Sequence, residues 1–152
     1  MLKKGLCLLI GIMMLFCQIN VVHATNLASG AESAILIDAN SQQVLYQKNA
    51  TKKLYPASTT KIMTMILLFE AIKEKKINWN DTLSCSAYAA SMGGSQVYLE
   101  ENEKMSVNEL FKCVAIASAN DASVLIGEGI AGSHQEFVKM MNEKAKQLKL
   151  VN

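Results

Sequence analysis

The chain has 152 residues, 51% of them hydrophobic and 18% charged, with 15 Lys and no Arg against 13 acidic residues. That apolar share excludes a disordered protein, which buries too little surface to offset the entropy of ordering. A formal net charge of +2 is too small for a nucleic-acid binder, and the length suits one domain with a sizeable core.

Residues 1–24 read as a secretory signal peptide. Lys3 and Lys4 give a basic start, 5–16 is an unbroken run of apolar residues and Gly, and Val22-His23-Ala24 offers a cleavage site. The run is short for a membrane span, which disfavours an uncleaved anchor. A lipoprotein reading would use Cys17, but Phe16 is bulky where a small residue is wanted. The expected product, residues 25–152, is electrically neutral because the two basic residues of the signal leave with it. Cys85 and Cys113 remain. A single bridge in an oxidising compartment and two buried thiols acting as small hydrophobes are both open. No Cys-x-x-Cys spacing suggests zinc.

Ala34–Asp38 and Gln43–Tyr46 are short apolar runs around Ala39-Asn-Ser-Gln42, the pattern of a β-hairpin, with Asn40 suited to a left-handed turn position. A polar stretch then leads to Pro56, the only proline. The segment 57–76 has no helix breaker, and nine of the eleven residues from Ile62 to Ile72 are apolar, so the helix is expected to be buried almost all round. Residues 78–95 read as loop, with a short helical stretch near 86–92 and Gly93-Gly94 after it. Ser106-Val-Asn-Glu109 is a capping box opening a helix to about Ala117. A second apolar helix covers 121–131 and ends at Gly132. Ser133-His-Gln-Glu136 is a second box, opening an amphipathic helix to about Leu150. A hairpin followed by helices predicts an α+β fold with helices beside an antiparallel sheet. Two strands alone are marginal in water, and no later segment reads as a good strand.

Ser58-Thr59-Thr60-Lys61 is a Ser-x-x-Lys element. The spacing is weak evidence by itself in a chain rich in both residues, and a capping Ser with a solvated Lys would look the same. Its setting adds weight: Pro56 suits a helix start, and residues three apart share a helix face, so Lys61 is expected to point its amine at the Ser58 hydroxyl. A Ser hydroxyl needs a base, and a Lys whose pKa is lowered by burial and a helix N-terminus supplies one. The same helix end favours a developing oxyanion. Ser118-Ala-Asn120 lies between two helices, where it is either a polar exposed pair or a cap.

Three patterns fail. Gly127-Glu-Gly129-Ile-Ala-Gly132 spells G-x-G-x-x-G, but no strand precedes it, so it is not a dinucleotide site. A Ser-His-Asp triad lacks its histidine, because His23 falls in the signal and His134 in a helix cap. No His or Cys metal cluster is present.

Tyr55-Pro-Ala-Ser-Thr-Thr-Lys-Ile-Met-Thr64, Ser91-Met-Gly-Gly-Ser95 and Ile116-Ala-Ser-Ala-Asn-Asp-Ala122 together resemble the low-molecular-weight penicillin-binding proteins, and within them the serine-type D-alanyl-D-alanine carboxypeptidases (peptidase S11). The resemblance extends over 31–152 in order and implies the N-terminal part of the penicillin-binding/serine β-lactamase-like fold. It implies Ser58 as acylated nucleophile and Lys61 as its general base. Ser118 would relay a proton to the leaving D-alanine, and Asn120 would hold the substrate amide. Ser95, in the Gly93–Ser95 loop, would border the cleft, and the Ser58 N–H would supply half of the oxyanion hole. The implied substrate is the peptidoglycan pentapeptide, with β-lactams as covalent inhibitors at Ser58. No cofactor or metal is implied.

Two departures stand out. Among the residues after Asn120, no Lys is followed by Thr-Gly, the family's third motif, which holds the substrate carboxylate and donates the second oxyanion N–H. The remaining sheet strands and the membrane-docking C-terminal region are not in these residues either, so residues 25–152 are expected to be the N-terminal portion of a catalytic domain. In the hairpin turn, Ser41-Gln42 stands where relatives usually carry Gly. Losing one oxyanion donor costs about 100- to 1,000-fold in rate. The competing readings are a β-lactamase of the same layout and a truncated product that is not an enzyme.

Overall fold

The structure, a computed structural model, describes residues 27–150; the expected export segment lies outside the described residues. The described residues fall into two compact units, divided between Lys52 and Lys53.

In the first unit, β1 (Ala34–Ile37) pairs antiparallel with β2 (Val44–Lys48), setting Ala34 opposite Lys48 and Leu36 opposite Tyr46, with a bulge between Leu36 and Ile37. The turn is built on Asp38, whose carboxylate accepts the Ser41 N–H and hydroxyl, both at 2.7 Å. Those two bonds, the backbone one foremost, hold its carboxyl below the usual carboxylate range. The left-handed residue is Gln42, at φ 59°, and not Asn40. The reason is the Asp38 carboxylate, which fixes the first half of the turn and pushes the reversal one step later. Lys48 Nζ gathers the carbonyls of Ala28 and Ala31 at 3.0 and 2.6 Å, tying the segment before β1 to β2. Ile35, Leu36, Ile37, Val44 and Leu45 stay exposed.

The second unit begins with a single 3-10 turn, Ala57–Thr60, that runs into α1 (Lys61–Lys73). The ladder of β3 (Thr82–Ser84) and β4 (Lys104–Ser106) follows, with α2 (Ala87–Ala90) between its strands. This ladder corrects the loop reading of 78–95 and the expectation of no later strand: three-residue strands are too short to show alternation. Ser106 then caps α3 (Val107–Ala117) through a complete capping box with Glu109. The helices α4 (Asn120–Ala131) and α5 (His134–Gln147) complete the unit. The second box is only half made: Ser133 accepts the Glu136 N–H, while the Glu136 carboxylate turns outward to Lys139 at 2.5 Å.

The helix α4 is the hub, packing on α1, α2, α3, α5 and β3. The core is Leu68 and Ala71 of α1, Val107, Leu110 and Val114 of α3, and Ala122, Leu125 and Ile126 of α4, closed by Ile77, Cys85, Ala89 and Leu99. Two glycines of the failed G-x-G-x-x-G pattern explain themselves here. A Cβ on Gly127 would lie 2.5 Å from the Phe137 ring, and one on Gly129 would lie 2.5 Å from Leu83. They let α5 and β3 approach α4 closely. Phe69, Trp79 and Phe111 form an edge-to-face triangle with centroids 5.4–5.8 Å apart. Lys144 of α5 reaches Glu70 of α1 at 2.7 Å.

α1 is not buried all round. Thr64, Leu67, Leu68 and Ala71 face the core, whereas Ile62 is 55% exposed. Met63 and Ile66 join Met141, Ala145 and Leu148 around an open groove of about 530 Å³. The neighbouring helices cover this second apolar face of α1 only in part among the described residues, which leaves the groove between α1 and α5 open. Cys85 and Cys113 are free thiols, and burial, then the Asp121 charge, pushes both thiols up.

Candidate active site

Pro56 and Ala57 set the entry to α1. Ala57 lies in the left-handed region at φ 48°, a strained conformation for a residue with a Cβ, and the chain then tightens into the 3-10 turn that carries Ser58. Thr59 Oγ1 donates to the Pro56 carbonyl and braces the turn. Ser58 is exposed, and its hydroxyl has no hydrogen-bond partner among the described residues.

A cavity of about 440 Å³ opens at this turn, lined by Ala57, Ser58, Thr60, Lys61, Ser95, Asn120 and Ser123. Four of the five residues expected from the sequence thus meet: Ser58, Lys61, Ser95 and Asn120. The fifth, Ser118, is not among the lining residues. It is the left-handed C-cap of α3, at φ 55° and ψ 36°, and makes the reversal that aims Asn120 into α4.

Lys61 shares the cavity with Ser58, but no hydrogen bond joins its amine to the Ser58 hydroxyl. Its Nζ donates to Asn120 Oδ1 at 2.6 Å. An amide oxygen is the better acceptor for an ammonium, and α4 brings it within reach. Burial holds the Lys61 amine below the ordinary lysine value. The other end of the Asn120 amide is also fixed: Nδ2 donates to the Gly93 carbonyl at 2.6 Å, and the Asn120 N–H donates to the Ser95 carbonyl at 2.7 Å. Gly94 sits between them at φ 81°, and a Cβ there would lie 3.0 Å from Asn120 Nδ2. The Gly93-Gly94 pair therefore packs directly against the Asn120 amide.

The residues missed by sequence reasoning are Ser123 and Asp121. Ser123 lies one turn along α4 from Asn120, with its hydroxyl 3.1 Å from Thr64 Oγ1 on α1. The three- and four-residue spacings from Asn120 and Lys61 could have signalled that pair, but only once α1 and α4 were known to be neighbours. Asp121 is 1% exposed and ties α4 to the 97–99 segment.

An exposed hydroxyl, a partly desolvated amine and a fixed carboxamide around one cavity can perform nucleophilic acyl transfer. Comparison with known proteins agrees with that chemistry. The family profile described as D-alanyl-D-alanine carboxypeptidase, Peptidase_S11, matches residues 20–152. The chain is similar to the D-alanyl-D-alanine carboxypeptidase DacF of Bacillus subtilis, at 51% identity over 95% of this chain and 39% of that protein. It is similar to DacC of Escherichia coli at 41% identity, over 80% of this chain and 32% of that protein. Among solved structures, penicillin binding protein 5 from Haemophilus influenzae superposes with a TM-score of 0.75 at 34% identity, covering 80% of this chain and 36% of that one. The ampicillin-bound Penicillin-Binding Protein D2 from Listeria monocytogenes gives 0.72 at 28% identity, covering 84% and 50%. The chain therefore spans about a third to two fifths of the curated relatives it matches, and its α+β architecture is part of the penicillin-binding/serine β-lactamase-like fold. On the extent of that match and on identities above 40%, the chain belongs to the D-alanyl-D-alanine carboxypeptidase family, peptidase S11.

Proposed function

We propose that this chain carries the nucleophile-bearing part of a serine-type D-alanyl-D-alanine carboxypeptidase acting on peptidoglycan pentapeptides. The observation that supports it most is the Lys61 amine, held below its ordinary pKa and anchored on Asn120 in the cavity that also exposes Ser58. Neutral Lys61 takes the Ser58 proton as Oγ attacks the carbonyl of the penultimate D-alanine. The Ser58 N–H and the positive end of the helix stabilise the oxyanion. As the C–N bond breaks, the terminal D-alanine leaves with a proton relayed through Ser118. Water, deprotonated by Lys61, then hydrolyses the acyl-enzyme and frees Ser58. Asn120 and Ser95 hold the substrate backbone, and a β-lactam acylates the same Ser58.

The role of the Lys-Thr-Gly segment, holding the terminal carboxylate and completing the oxyanion hole, falls outside these 152 residues. We place the protein on the outer side of the cytoplasmic membrane, on the strength of the basic-then-apolar N-terminus and the implied substrate, with any membrane docking left to that further region. The test uses the chain joined to the C-terminal part of the Bacillus subtilis relative that lies beyond the matched 39%. It should release D-alanine from a peptide ending in D-Ala-D-Ala, and Ser58→Ala should abolish release. Rapid turnover of nitrocefin without D-alanine release would instead favour a β-lactamase.

A further inference from the structure

Asp121 is buried to 1% exposure, yet no salt bridge reaches it among the described residues. A buried carboxylate is costly unless its oxygens are satisfied. Here backbone N–H groups satisfy them: Leu99 at 3.1 Å, Val97 at 3.1 and 3.3 Å to the two oxygens, and Ala122 at 2.9 Å. Only the last of these lies within the helix itself. The Val97 and Leu99 bonds reach back over 24 and 22 residues, to a segment that belongs to neither a helix nor a ladder. Between those two donors Tyr98, 77% exposed, is held at φ 61°, a strained conformation that persists only where its surroundings enforce it. Two residues before Val97 is Ser95, which lines the cavity and receives the Asn120 N–H. Asn120 and Asp121 thus grip one stretch of chain from consecutive positions, Asn120 at 93–95 and Asp121 at 97–99.

We propose that Asp121 is a positioning residue: through the Val97 and Leu99 N–H groups it holds the 95–99 segment so that Ser95 stands as the fixed wall of the cavity beside Asn120. The inference rests on the catalytic reading of that cavity for its purpose, but its geometry is tested without it. Asp121→Asn leaves one accepting oxygen and turns an NH₂ group toward N–H donors.

Amide hydrogen exchange of the unliganded chain reads the effect, with Glu109→Ala, which breaks the α3 capping box, as a control for general destabilisation. In the unsubstituted chain the Val97 and Leu99 amides should exchange as slowly as helix amides. In Asp121→Asn they should accelerate at least about tenfold while α1 and α3 amides do not. Fast exchange at 97 and 99 in the unsubstituted chain overturns the proposal, whether or not the variant folds. So does acceleration spread evenly over the chain, as in the control. Penicillin acylation of Ser58 supplies the second reading: it should fall about tenfold at sub-saturating penicillin in Asp121→Asn and recover at saturation. Equal losses at both concentrations overturn the positioning role. This label is read on the chain joined to the C-terminal part of the Bacillus subtilis relative; if that chain takes no label at Ser58, the catalytic reading fails, and the exchange result still decides the role of Asp121.

Discussion

Lys61 Nζ donates to Asn120 Oδ1 at 2.6 Å, joining the first residue of α1 to the first residue of α4 across 59 residues of sequence. Two helix N-termini therefore meet at one amine beside Ser58. Both helix dipoles oppose a cation there, in the same sense as burial.

The pH dependence follows from that position. Burial lowers the Lys61 pKa, so the folded state holds this proton less tightly than the unfolded chain does. Stability is diminished below the folded pKa and recovers as pH rises from there toward the ordinary lysine value. Thermal unfolding should show this alkaline gain in the unsubstituted chain and less of it in Lys61→Met. Ser58 acylation should rise with pH through an inflection below the ordinary lysine value, and Lys61→Arg should abolish it, because a guanidinium stays protonated.

Gly94→Ala should damage the site more than the fold. The left-handed backbone costs a Cβ about 1 kcal/mol, and the new methyl would press on Asn120 Nδ2 from 3.0 Å. Acylation of Ser58 should drop about tenfold or more, while the urea midpoint moves little.

Gly127→Ala should do the opposite. Its Cβ would meet the Phe137 ring at 2.5 Å, at the packing of α4 on α5. Overpacking of this kind costs about 1–3 kcal/mol. Urea unfolding should show that loss, and so should Gly129→Ala, whose Cβ would meet Leu83.

Of the residues that carry a Cβ in the left-handed region, Gln42 and Ala57 test different things. Gln42→Gly, at φ 59° in the hairpin turn, should stabilise by up to about 1 kcal/mol, which hydrogen exchange across β1 and β2 would report. Ala57→Gly, at φ 48° just before Ser58, should relieve strain in the same way but slow acylation, because the turn then no longer fixes the Ser58 hydroxyl.

What the sequence made legible was local. Ser106 with Glu109, and Gly132 after α4, are short-range signals written within one helical turn, and the structure honours both. Ser58 near a helix start followed from Pro56 in the same way. The long-range facts were not written so. Lys61 finds Asn120 instead of Ser58, and Thr64 meets Ser123, because α1 and α4 are neighbours, which no periodicity in either helix states. Asp121 was legible only as the start of the helix over 121–131: its bond to Ala122 is local, while the bonds to Val97 and Leu99 come from a loop with no pattern. The helix α1 misled in the other direction: an apolar surface all round says that both faces want partners, not that both are fully covered among the described residues.

Acylation at Ser58 is decided by a covalent label. The 152-residue chain, and the same chain joined to the unmatched C-terminal part of the Bacillus subtilis relative, would be incubated with a fluorescent penicillin, cut after lysine and weighed. The account predicts one penicilloyl adduct on peptide 54–61 in the joined chain and none in Ser58→Ala. The 152-residue chain should label about 100- to 1,000-fold more slowly, for want of one oxyanion donor. No adduct in the joined chain, or an adduct that survives Ser58→Ala, would contradict the account.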